Sequence, residues 1–218
     1  MDPVKSRIYV LFGIATFTTL VACGGTGDDA ARTARPATEA TPATGRSETT
    51  PKPEEAAAPT KATVKVTRAQ AILAPVGDSA ARGKVEFLAL PEGVQIEARV
   101  SGLGKLLHGF HIHEVGDCSA ADASSAGGHY NPENSRHGSP LAESAGRHSG
   151  DLGNLAADPQ SGEAHCVRVD RMIALDGDGS IVGRAVVVHA GEDDFKTQPS
   201  GDAGARIACG VITAAADD

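Results

Sequence analysis

Between Phe110 and Asp151 the chain places six of its metal-capable side chains, His111, His113, His129, His137, His148 and Asp151, and His189 follows further along. His111 and His113 stand in Gly-Phe-His-Ile-His. An extended backbone there puts alternate side chains on one face, so both imidazoles can converge on one ion while Phe110 and Ile112 face a core. Imidazole nitrogens and a carboxylate oxygen are ordinary ligands of zinc. Two four-coordinate sites need eight ligand positions, and the chain offers seven good candidates. One ligand would then be shared, and a histidine is the natural bridge because each of its two ring nitrogens can face an ion.

Such a cluster needs rigid elements to aim it. From Ala62 onward the chain reads as short β-branched or alternating runs punctuated by Gly, Pro and Asp, which predicts strands over 63–67, 84–90, 94–100, 106–113, 166–175 and 181–188. Helical periodicity is absent. Pro91-Glu92-Gly93 and Asp176-Gly177-Asp178-Gly179 read as hairpin turns. Many short strands with such turns argue an all-β antiparallel barrel or sandwich. Two long connections interrupt it, 114–163 and 190–205, and loops of that length are uncommon unless functional or disordered. The first carries His129, His137, His148 and Asp151, and the second leads into Arg206. Metal would hold the long loop in place, coupling binding to folding.

The first sixty residues have a different character. Lys5 and Arg7 precede an apolar run, 8–22, that ends in Leu-Val-Ala-Cys-Gly. It is short for a membrane span and right for the core of a secretory signal. The small residue before Cys23 resembles a bacterial lipoprotein signal. That resemblance implies removal of 1–22, acylation of Cys23 and anchorage in a lipid bilayer. Gly24 stands where an aspartate would be the inner-membrane retention signal, which favours the outer membrane, facing the periplasm. Residues 24–60 are rich in Ala, Thr, Pro and Gly and cannot bury enough surface to offset chain entropy, so 23–60 reads as an acylated N-terminus and tether. As a flexible coil it would reach roughly 30–37 Å. Residues 61–218 are left as the folded domain. The formal net charge of −8 makes nucleic acid an unfitting partner and repels small anions at long range.

Five blocks in order carry a resemblance. Gly-Phe-His-Ile-His at 109–113, Gly-Gly-His-Tyr-Asn-Pro at 127–132, Arg-His-Ser-Gly-Asp-Leu-Gly-Asn at 147–154, Val-Val-Val-His at 186–189 and Gly-Ala-Arg-Ile-Ala-Cys-Gly-Val-Ile at 204–212 together resemble copper/zinc superoxide dismutase. The resemblance implies a Greek-key connection of the β-barrel, with one copper and one zinc per subunit. It puts copper on His111, His113, His129 and His189, and zinc on His129, His137, His148 and Asp151, with His129 as the bridge. The implied activity is disproportionation of superoxide to dioxygen and hydrogen peroxide, with copper alternating between Cu(II) and Cu(I) and zinc structural. His129 would relay a proton and Arg206 would guide the anion. Asp193 matches a carboxylate that links one imidazole of each metal site. The 189–206 segment is shorter than in the common eukaryotic form, and Lys196 is its only lysine, so no guiding lysine carries over.

The four cysteines leave three pairings open. With Cys23 acylated, the family match pairs Cys118 with Cys209 and leaves Cys166, in an expected strand, as a buried inert thiol or as a link to a second chain. His108 matches a structural position that bonds nearby backbone. His165 has no assigned role and should face solvent. The rival to an enzyme is a non-catalytic copper/zinc-binding module of the same fold, a chaperone or metal buffer, since fold alone does not fix function. A homodimer is open, because family members dimerise through different surfaces and some are monomers.

Overall fold

The computed structural model describes residues 65–104, 107–142 and 146–216. The expected signal segment 1–22, the acylation site Cys23 and the tether 24–60 lie outside those residues. The strands are β1 (Arg68–Pro75), β2 (Arg82–Leu90), β3 (Gly93–Ser101), β4 (Leu107–His113), β5 (Asp151–Ala156), β6 (Ala164–Asp170), β7 (Ala185–His189) and β8 (Arg206–Ala214). Every pairing is antiparallel. The eight strands run β5-β4-β7-β8-β1-β2-β3-β6, and the end strands β5 and β6 come into contact, so the sheet is a nearly closed barrel. The only helical turn among the described residues is a 3-10 turn at Ser124–Ala126.

β1, β2 and β3 form a meander, with Leu90 opposite Gly93 at the expected Pro91-Glu92 hairpin. The chain then crosses to β4 and β5, returns to β6 beside β3, and crosses again to β7 beside β4. This is the Greek-key arrangement expected of the sequence. Burial alternates along β3, where Val94, Ile96, Ala98 and Val100 point inward. They meet Phe87, Phe110, Ile112, Leu152, Leu155, Ile181 and Ile212 in the main core. Fully burying a side chain of this size contributes about 1.5–3 kcal/mol. A smaller cluster of Ala123, Ala126, Ala185, Val187 and Cys209 packs beneath the loop after β4.

Several expectations need correction. β1, β5 and β8 are additional to the expected strands, and residues 65–67 lie outside any strand. β1 places Ala69 and Ala71 inward, and such small side chains give a weak hydrophobic alternation. β5 interrupts the loop expected over 114–163. It contains Gly153 at φ +88°, a conformation that masks a strand signal. Residues 176–179 do turn, but β6 and β7 are not partners, so no hairpin forms there. His165 faces solvent as expected, 3.0 Å from Glu97. Cys166 is buried in β6 but is not a free thiol, which corrects the expectation of an inert sulfhydryl.

Candidate metal centre

Strand register brings the metal-capable residues together. His111 pairs with Asp151 across β4 and β5, His113 bridges to His129, and His189 pairs with Arg206 across β7 and β8. Phe110 and Ile112 enter the core, as alternation predicted, while His111 and His113 are buried on the opposite face. Gly109 lets the loop after β7 lie close over that face. A Cβ there would stand 2.7 Å from Ala203 Cβ and 3.1 Å from His111 Cε1.

Hydrogen bonds fix which nitrogen of each imidazole is left over. His111 Nε2 donates to Asp193 Oδ2 at 2.8 Å, His113 Nδ1 to the Gly127 carbonyl at 2.9 Å, and His189 Nδ1 to the Gly204 carbonyl at 3.0 Å. The remaining nitrogens point at one another. His113 Nε2 and His189 Nε2 lie 3.4 Å apart. Both rings have committed their proton elsewhere, so two lone pairs face each other, an arrangement a cation between them would relieve. His111 Nδ1 and His129 Nε2 are buried without a hydrogen-bond partner. The ligand atoms of His111, His113, His129 and His189 all lie within 4.8 Å of one another.

A second set shares His129. The Nδ1 atoms of His129, His137 and His148 lie 2.8, 3.0 and 3.2 Å from Asp151 Oδ1. Asp151 Oδ2 accepts from the backbone N–H of Gly138 at 3.1 Å and of His148 at 2.9 Å, which turns Oδ1 toward the cluster. These four residues also bring their ligand atoms within 4.8 Å of one another. The structure thus gathers all seven candidates into two groups joined by His129.

Electrostatics keeps three of the imidazoles neutral and both carboxylates charged. Burial, with the nearby His129 imidazole adding to it, pushes His111 down to about 3 and His113 to about 2. Burial pushes His189 down to about 4. A neutral imidazole is what a metal requires. Burial alone would raise the Asp193 carboxyl, but hydrogen bonds from His111 and His137 outweigh it and hold it at about 2. Burial would likewise raise Asp151, and hydrogen bonds from His129, His137 and His148 instead hold it well below the carboxylate range. His137 goes the other way: the Asp151 and Asp193 carboxylates overcome burial and raise it to about 9.

Asp193 spans the groups, because its Oδ1 accepts from His137 Nε2 at 2.8 Å while Oδ2 holds His111. Partners of this kind set ring orientation and raise ligand basicity. Arg206 is half-buried at the rim. Its Nη1 donates to the Ala123 carbonyl, and its Nη2 donates at 2.6 Å to the Gly127 carbonyl that also holds His113. Burial lowers its pKa and the Asp122 carboxylate opposes that, leaving a fixed cation. His108 Nδ1 donates to the His189 carbonyl at 2.8 Å, the structural bond expected of it. Cys118 and Cys209 form the expected disulfide, tying the loop after β4 to β8.

Other supports were not read from sequence. Arg147, 2 % exposed, donates to both oxygens of Asp170 and to the carbonyls of His148, Ser149 and Asp151. Arg168 adds bonds to Asp170 and to the Leu152 carbonyl. An acid at an inward position of an alternating strand was the available signal for Asp170. Asn154 and Gln198, which bond Asp193 and His137, carried none.

Four nitrogens fit copper, and three nitrogens with one carboxylate fit zinc. A bridged pair of cations beside a fixed arginine could bind a small anion and exchange electrons with it. Residues 81–212 match the copper/zinc superoxide dismutase family. Superoxide dismutase (Cu-Zn) 4 of Dictyostelium discoideum is 45 % identical over 137 residues, 60 % of this chain and 89 % of that protein. Superoxide dismutase (Cu-Zn) A of Xenopus laevis is 43 % identical over 152 residues, 66 % of this chain and 96 % of that protein. An extracellular Cu-Zn superoxide dismutase of Haemonchus contortus is 44 % identical over 125 residues, 55 % of this chain and 66 % of that protein. A crystal structure described as the clock protein EA4 is 37 % identical, with a TM-score of 0.64, covering 71 % of this chain and 99 % of that chain. With a family match over most of its folded part, relatives spanning most of their own length, and two ligand groups joined by one imidazole, this chain belongs to the copper/zinc superoxide dismutase family.

Proposed function

We propose that this superoxide dismutase holds copper on His111, His113, His129 and His189 and zinc on His129, His137, His148 and Asp151. The observation that carries the copper assignment is the 3.4 Å approach of two imidazole nitrogens, His113 Nε2 and His189 Nε2, whose protons are committed elsewhere. Bound copper supplies the one-electron couple that disproportionation needs, and zinc supplies a fixed charge. The remaining chemistry belongs to side chains. Arg206 holds the anionic substrate at the rim, where its guanidinium is fastened by two carbonyls. His129 Nε2, buried and without a protein partner, takes up a proton and delivers it to the product, while Nδ1 of the same ring faces the zinc group. Asp193 keeps His111 and His137 aimed at their ions.

The test is elemental analysis of the purified chain paired with superoxide turnover, for the unaltered protein and for His111→Ala. About one copper and one zinc per chain, with copper and turnover lost together in the variant, is the expected outcome. Metal in place without turnover would favour the metal-buffer reading and overturn the catalytic assignment.

The reading extends to location. The chain is exported and acylated at Cys23, which holds the domain at the outer membrane on its tether. The lipoprotein-like sequence around Cys23 supports this, and so does the similarity to a relative named as extracellular. Cys23→Ser should release the protein from the membrane fraction, and a variant that still sediments with membranes would contradict the anchor.

A further inference from the structure

The loop between β7 and β8 grips His137 by its backbone as well as by its ring. Gln198 Oε1 accepts from the His137 N–H at 2.8 Å, and Gln198 Nε2 donates to the His137 carbonyl at 2.9 Å. Set against one residue in this way, a carboxamide supplies the acceptor and the donor that an adjacent β-strand would supply. His137 needs such a substitute because it lies in irregular chain between β4 and β5. The second amide proton of Gln198 goes to the Lys196 carbonyl at 3.1 Å, so the amide is held in one orientation. Flipping it would set the NH2 group against the His137 N–H.

The same device recurs one step back. Asn154 Oδ1 accepts from the Asp193 N–H at 2.8 Å, and Asn154 Nδ2 donates to the Asp193 carbonyl at 2.9 Å. β5 therefore anchors the loop through Asn154, and the loop holds His137 at two points, the ring through Asp193 and the main chain through Gln198. There is no slack at this junction. A Cβ on Gly201, which has φ +68°, would stand 2.6 Å from His137 Nε2. A ring held only at Nε2 could still pivot about that bond and swing Nδ1 away from the zinc position. Holding the main chain of the same residue removes that freedom.

We infer that Gln198 is a positioning residue for zinc, fixing the direction of His137 Nδ1 and thereby part of the zinc affinity. The inference rests on His129, His137, His148 and Asp151 being the zinc ligands. It predicts an effect confined to the zinc side, since the hydrogen bonds of the Gln198 side chain go to His137 and Lys196 and none goes to a copper-side imidazole.

The experiment uses the full chain as Gln198→Ala and Gln198→Glu, with three readouts. These are the zinc dissociation constant by competition with a chromophoric chelator, the visible spectrum of cobalt(II) in the zinc position, and hydrogen exchange at the His137 amide. Gln198→Ala should weaken zinc roughly tenfold or more, alter the cobalt bands and speed exchange, with copper content unchanged. Gln198→Glu keeps the acceptor for the His137 N–H but loses the donor to its carbonyl, and should fall between the two. If the alanine variant does not fold, the glutamate variant decides alone. Zinc affinities within about twofold of the unaltered chain would overturn the inference and leave the ligand assignment standing. Equal losses at the copper and zinc positions would also overturn it. An unaltered chain that binds no zinc would overturn the assignment, and the inference with it.

Discussion

Asp193 Oδ2 and His111 Nε2 are 2.8 Å apart, both fully buried, on segments separated by 82 residues. The carboxylate accepts the imidazole proton and so decides that Nδ1 is the nitrogen left for a metal. Asp193→Asn keeps the shape but presents an amide whose single oxygen cannot serve both His111 and His137. Both metal affinities are expected to fall by roughly 10- to 100-fold, read by chelator competition. Unchanged affinity for either metal would contradict the bridging role.

Arg206 is expected to act on substrate encounter more than on metal. Arg206→Ala should lower kcat/KM by about one order of magnitude at low salt and flatten its dependence on ionic strength, with metal content unchanged. Arg206→Lys keeps the charge but lacks the planar fork that reaches both the Ala123 and Gly127 carbonyls, and should recover only part of the loss. Stopped-flow decay of superoxide across a salt series checks both variants. Equal salt slopes for Arg206→Ala and the unaltered enzyme would count against guidance by this residue.

The disulfide closes a sequence separation of 91 residues. On the loop-entropy account it contributes about 4–5 kcal/mol, read as the difference in denaturant between the oxidised protein and Cys118→Ala. The variant should also loosen the loop bearing Ala123 and Gly127, so that kcat/KM falls together with stability. A stability change below about 1 kcal/mol would show that the loop is held by packing on Ala185 and Val187 alone.

Asp170 is 1 % exposed and is shared by the guanidiniums of Arg147 and Arg168. Asp170→Asn would leave the buried Arg147 and the half-buried Arg168 without a counter-charge, and an expected loss of about 3–5 kcal/mol follows. Denaturant midpoints measure it. A loss no larger than that of a surface substitution such as Glu97→Gln would contradict it.

For the metal-free protein the pH dependence has a definite sign. His111, His113 and His189 fold with values of about 3, 2 and 4, below the ordinary 6.5. The unfolded chain takes up protons that the folded chain refuses, so stability falls as pH drops through about 6.5 toward those values. His137, raised to about 9, contributes in the opposite sense, fully below 6.5 and with loss as pH rises toward 9. Three lowered groups against one raised predict a metal-free protein less stable near pH 5 than near pH 7. Unfolding curves at the two values would refute this if they coincide.

The two metal-capable groups were legible in the sequence because their chemistry is rare and their order is fixed, and a His-Ile-His pair on a strand has only one way to converge. Supports were harder to read. Gln198 and His137 are 61 positions apart, and neither a glutamine nor its spacing announces a backbone clamp. Asp170 and Arg147 are 23 apart and are joined only once β6 has turned its inward face to the loop. β1 hid behind alanines, and β5 behind a glycine with positive φ inside what read as loop. Turn chemistry at 176–179 was correctly read as a turn. The neighbouring strands pair elsewhere, β6 with β3 and β7 with β4 and β8.

The barrel's unpaired seam lies between β5 and β6, where no ladder hydrogen bonds run. Arg168 crosses it from β6 and occupies the Leu152 carbonyl in β5. That guanidinium ties the two end strands together where backbone pairing does not. Through Asp170, the residues that steady the ligand loop thus also help to close the barrel.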